Sequence, residues 1–262
     1  GNWNFFTNYN YQYRQTYFLG ETLRNLRGDM VSPTLDQDFN SIDYRTSHLL
    51  RLGIDYSINN RGTVGAFINA NYRPGVRNRT YDIRHLNAAA SLDSMFVRDL
   101  RDENESFNYE AGINFAYDLD TTGQKIFATF TYSEDERERF EFIDQIFLSD
   151  LLIEDPTKAE RELFERPWYN RQAIAQIDYE NPVGSKSKLE AGYRGTFSFR
   201  NRLQRFNEFD FELNDYVLND FFSNEFDFTE NIHALYAIWQ SKAGKLGYQA
   251  GLRAEYTGTL GY

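Results

Sequence analysis

The chain has 262 residues, no cysteine, 19 Tyr, 23 Phe and a formal net charge of −11. It forms no disulfide and offers no thiolate to a metal or as a nucleophile, and its charge opposes nucleic acid, whose phosphates need Lys and Arg clusters. It contains no run of about 18 apolar residues, which excludes a transmembrane helix.

Alternation of apolar and polar residues with period two predicts about nine strands. The first covers about 3–18, where Phe5, Tyr9, Tyr11 and Tyr13 alternate with Asn8, Asn10, Gln12 and Arg14. The second sets Leu50, Leu52, Ile54 and Tyr56 against Arg51, Gly53 and Asp55. The third sets Val64, Ala66, Ile68, Ala70 and Tyr72 against Gly65, Phe67, Asn69 and Asn71. The fourth has the longest alternation: Phe107, Tyr109, Ala111, Ile113, Phe115 and Tyr117 face one way, and Asn108, Glu110, Asn114 and Asp118 the other. The fifth carries Ile126, Ala128, Phe130 and Tyr132.

The sixth sets Ala173, Ala175, Ile177 and Tyr179 against Gln172, Gln176 and Asp178. The seventh sets Leu189, Ala191, Tyr193, Phe197 and Phe199 against Glu190, Gly192 and Arg194. In the eighth, Ile232, Ala234, Tyr236 and Ile238 read as the apolar set. The ninth sets Leu246, Tyr248, Ala250, Leu252, Ala254 and Tyr256 against Gln249, Gly251, Arg253 and Glu255.

Four connections are short and contain Gly: 59–62, 120–124, 181–187 and 241–245. The others, 20–46, 73–104, 133–167 and 200–228, read as long loops, and a short amphipathic helix is expected over 142–153. Short and long connections alternate throughout. Strands of ten or more residues, short turns at one end and long loops at the other are the pattern of an outer-membrane barrel.

The fold class expected is therefore all-β: an antiparallel up-and-down transmembrane β-barrel in the bacterial outer membrane. One face is expected to meet membrane lipid, with Ile113 and girdle residues Tyr56, Tyr72, Tyr109, Tyr117, Tyr132, Tyr179, Tyr193, Tyr236 and Tyr256. The other is expected to face the lumen through Arg51, Asp55, Asn69, Glu110, Asn114, Asp118, Gln176, Arg194, Gln249, Arg253 and Glu255, which are too polar for a dry core. The start at Gly1 lacks the basic and apolar regions of a signal peptide, and nine strands do not close a single-chain barrel. Residues 1–262 are thus expected to be part of one barrel domain, incomplete here. At roughly 29 residues per strand, a 22-stranded plugged barrel needs roughly 640 residues.

The three histidines, His48, His85 and His233, lack the spacing of a metal site or a triad, so neither a catalytic residue, a metal nor a cofactor is expected. An outer-membrane lipase or protease is the weak enzymatic alternative. The segment 133–139 reads as a mixed-charge solvated stretch, and the acidic, Phe-rich 206–228 lacks a calcium-loop pattern.

The hairpin of 230–239 and 244–257, ending in Gly251-Leu252-Arg253-Ala254-Glu255-Tyr256, resembles the outer-membrane β-barrel family of TonB-dependent receptors, as does the 188–194 stretch. The resemblance implies a plug domain, a TonB-type energy coupler and further strands. A surface lipoprotein is a possible partner of the outer loops. The expected function is energised uptake of an unidentified cargo. The alternative is a passive porin, or a structural or secretion-associated barrel.

Overall fold

The computed structural model describes residues 1–25, 34–87 and 89–262. Its strands are β1 (Trp3–Asn25), β2 (Thr34–Ser57), β3 (Gly62–Leu86), β4 (Leu92–Asp118), β5 (Lys125–Ser149), β6 (Glu160–Glu165), β7 (Trp168–Val183), β8 (Ser187–Asp210), β9 (Asp215–Leu218), β10 (Asn224–Ala243) and β11 (Leu246–Gly261). All eleven belong to one sheet in which neighbours run antiparallel, in the main order β1-β2-β3-β4-β5-β6-β8-β10-β11. Strand β7 lies between β5 and β8, and β9 pairs with β8.

The nine expected strands are the nine long ones. The two extra strands have local causes. Strands β6 and β7 follow one path between β5 and β8, broken at Arg166-Pro167. Proline has no N–H to give a ladder. Strand β9 is a four-residue return at the tip of β8.

The long loops are corrected. Strands β1 to β5 hold 23 to 27 residues each and run straight through most of the segments read as loops. At about 3.4 Å per residue they reach roughly 80–90 Å, more than twice the hydrocarbon thickness of a bilayer. The β3–β4 hairpin pairs out to Leu86↔Leu92, and β4 pairs with β5 out to Ser94↔Ser149. Of the first expected loop, 26–33 lies outside the described residues. The helix expected over 142–153 is also corrected, because 142–149 is strand and pairs with 94–101 of β4.

At the opposite end the short connections stand. The β7–β8 turn places Gly184 at φ +65 and the two-residue β10–β11 turn places Gly244 at φ +64, a left-handed conformation that glycine adopts without a Cβ penalty.

The sheet has almost no core. Among the described residues the only buried apolar ones are Phe206 and Ala234, and none of the large side chains is fully buried. One face instead leaves large apolar groups uncovered, including Ile113 at 55% and Leu252 at 84% exposure. A water-soluble domain of this length would bury such groups.

Candidate functional site

The register sorts side chains into continuous rows, since directly paired residues share a face. One row runs Trp3–Tyr56–Val64–Phe115–Ala128–Ile177–Tyr193–Leu235–Ala254 across all nine long strands. The next on the same face runs Phe5–Ile54–Ala66–Ile113–Phe130–Ala175–Gly195–His233–Tyr256. Between them on the opposite face lies Asn4–Asp55–Gly65–Asn114–Thr129–Gln176–Arg194–Ala234–Glu255. The nine strands thus build one apolar belt backed by one polar wall.

The belt has a sharp limit. On β4 its face is aromatic or aliphatic from Phe107 to Tyr117, and the next residues on that face are Glu105, Glu103, Arg101 and Asp99. On β5 it ends at Tyr132, whose hydroxyl donates to Glu134. Beyond this edge the strands continue with charge on both faces.

All eleven polar candidates share the wall: Asp55, Asn114, Gln176, Arg194 and Glu255 occupy the row above, and Arg51, Asn69 and Glu110 another. Asp118, Gln249 and Arg253 belong to rows nearer the short turns. Asn69 Nδ2 donates to Glu110 Oε1 at 3.3 Å, and Lys125 reaches Asp118 at 3.4 Å. Tyr56, Tyr72, Tyr109, Ile113, Tyr117, Tyr132, Tyr179, Tyr193 and Tyr256 share the apolar belt.

Tyr236 does not. It pairs with Gly192 and Arg253, and its hydroxyl donates to Asp178 on the polar wall. On β10 the belt residues are Leu235, Ala237 and Trp239, so the apolar set Ile232, Ala234, Tyr236 and Ile238 faces the other way. The absent side chain of Gly192 makes this possible, because a Cβ there would sit 2.5 Å from the Tyr236 ring.

Where the polar wall passes the edge of the belt, away from the short turns, it forms a recess of about 630 Å³. Six arginines line it, Arg14, Arg45, Arg73, Arg77, Arg137 and Arg139, with three aspartates, Asp43, Asp102 and Asp135. Asp43 is buried and accepts from Arg45 Nε and Arg77 Nη2, both at 3.0 Å. Burial alone would raise its carboxyl, but the hydrogen bonds and charges of Arg77 and Arg45 outweigh that and hold it below the ordinary range. Arg139 grips Asp102 with two donors at 2.9 and 2.8 Å and also reaches Glu141 at 3.0 Å. Arg14, Arg73 and Arg137 make no ion pair among the described residues; Arg137 donates to the Asn104 amide. No sequence motif marks this cluster, whose members spread from position 14 to 139. The available signal was parity: each arginine sits on the polar-face phase of its strand, continued past the apolar run.

The histidines do not converge. The His48 ring lies against Tyr11 and its Nδ1 is 2.9 Å from the Tyr9 hydroxyl. His233 Nδ1 is 2.8 Å from the Tyr193 hydroxyl, and His85 packs on Phe96. Glu21, Asp36 and Asp38 bring three carboxylates together, but Arg84 already pairs with Asp36 at 3.1 Å and with Asp38. The Phe-rich segment packs partly on itself, with buried Phe206 4.6 Å from Phe164 and 5.7 Å from Phe222, ring centre to ring centre.

A family model described as "Outer membrane protein beta-barrel family" matches residues 117–262, more than half of the chain. The chain belongs to that family. This outer-membrane barrel protein lies in the bacterial outer membrane, and its antiparallel sheet is the wall of a β-barrel. No curated protein matches it. Among solved structures, the P. putida toluene transporter TodX aligns over 100% of this chain and 79% of that one, at 8% identity and a TM-score of 0.25. Among the described residues of this barrel protein no helix is long and apolar enough to cross a membrane.

Proposed function

We propose that this sheet is part of the barrel of a TonB-dependent receptor that imports a cargo across the outer membrane. In this reading the apolar belt contacts lipid and the polar wall lines an interior that holds water and a plug. The observation that carries it is the row from Asn4 to Glu255, polar at every strand except for Gly65 and Ala234, directly behind the apolar row from Trp3 to Ala254. Charged and amide groups in such a row need water or a polar partner, and lipid offers neither. The likeness of the Gly251–Tyr256 strand to TonB-dependent receptors supports energised transport over passive flow. The long strands carry the wall well beyond the belt, and in this reading the hairpin tips meet cargo or a surface lipoprotein. The wall itself performs no bond chemistry and uses no cofactor.

The test is permeability of the full-length protein in a planar bilayer. A plugged receptor gives no steady ion current until the plug is loosened by denaturant. A steady current from the untreated protein overturns the reading in favour of a porin.

A further inference from the structure

We propose that the arginine recess binds a multiply charged oxyanion, such as a phosphate ester or a polycarboxylate. The chain as a whole carries −11, yet here six guanidinium groups face three aspartates. Arg14 and Arg45 are directly opposed across β1 and β2. Like charges so placed repel and weaken a sheet, so the arrangement needs a compensating anion. The protein supplies only part of it: Asp43 serves Arg45 and Arg77, and Asp102 serves Arg139. Asp135 acts on Arg73 and Arg137 only through space, with no ion pair to either, Arg14 has no paired carboxylate among the described residues, and the Nε of Arg77 is buried with no acceptor.

The shape fits the charge. Gly75 keeps the floor low, since a Cβ there would come within 3.3 Å of the Arg45 stem. The cavity of about 630 Å³ is far larger than a water molecule and suits a small polyanion. Guanidinium forks match the paired oxygens of phosphate and carboxylate. The amides of Asn71 and Asn104, also in the lining, add neutral donors. The recess lies past the edge of the belt, outside the hydrocarbon zone of the proposed orientation.

This inference rests on the polar wall facing an aqueous interior, and not on energised import. The test therefore uses the purified full-length protein in detergent, where no energy coupler operates. Pyrophosphate and citrate are titrated calorimetrically into wild type, into Arg73→Gln/Arg137→Gln, and into Arg101→Gln/Arg171→Gln. The last pair removes the same charge from the opposite face. We expect binding of at least one anion to weaken roughly tenfold or more in the recess variant and to stay near wild type in the control. Heat-modifiable gel migration verifies that each barrel is folded. If neither anion binds the folded wild type, or if both double variants bind as wild type does, the proposal is overturned. Failure of the current experiment above, with anion binding intact, would remove energised transport alone.

Discussion

Replacing Ile113 by Arg tests which face meets lipid. From Phe107 to Tyr117 there are ten strand steps. At about 3.4 Å each they cover about 34 Å, and at a tilt of about 45° they rise about 24 Å, close to the apolar band of about 25 Å in such barrels. Ile113 lies four steps from one limit and six from the other, within about 3 Å of the middle. Its side chain is 55% exposed in the isolated sheet, so an arginine there has no protein partner to hide behind. The expected cost is roughly 2–4 kcal/mol. At Phe107, near the edge, the same change should cost about 0–1 kcal/mol. Asn114→Arg is expected to fall within roughly 0.5 kcal/mol of wild type, because Asn114 lies on the polar wall opposite Gly65 and Thr129. Reversible denaturant unfolding of the full-length protein in lipid vesicles reads all three. Equal losses at 113 and 114, or a larger loss at Asn114, would refute the assignment of the faces.

Three further outcomes follow from named contacts. Gly192→Val should displace the Tyr236 ring and its bond to Asp178, costing about 1–3 kcal/mol in the same unfolding assay, whereas Tyr236→Phe should cost about 1 kcal/mol. Asp43 has a folded pKa below its unfolded one, so its contribution is complete above the ordinary carboxylate range and disappears as pH falls through the lower folded value. Asp43→Asn should therefore flatten the acid limb of stability measured from about pH 5 to about pH 2. Phe206→Ala empties a buried contact with Phe164 and Phe222, and limited proteolysis should then cut the 211–223 tip faster, while the belt remains resistant.

The belt was legible because apolar side chains alternate with polar ones wherever lipid selects one face. On β4, Phe107 to Tyr117 declares both its strand and its phase. The same strand was invisible from Leu92 to Ser106, where both faces meet water and alternation gives no contrast. For the same reason β5 past Ser133 looked like a charged loop followed by a helix, although pairing with β4 holds it extended. On β10 both phases are apolar, with Ile232, Ala234 and Ile238 on one and Leu235, Ala237 and Trp239 on the other, so only the neighbours' register decides where Tyr236 points. The recess was legible only in the parity of its arginines, for a related reason. Its arginines meet through pairing of five successive strands, and nothing local in the chain records those distances.

The continuous register also limits how such a wall can change over generations. One codon inserted into β2 or β4 would turn every later side chain of that strand over, sending Arg and Asp where Leu and Ile had been. The single register shift recorded between β3 and β4 falls at His85/Leu86, beside the tip. Growth and loss are therefore tolerated at the hairpin crests, or as whole up-and-down pairs, while the stretches between accept substitution without change of length.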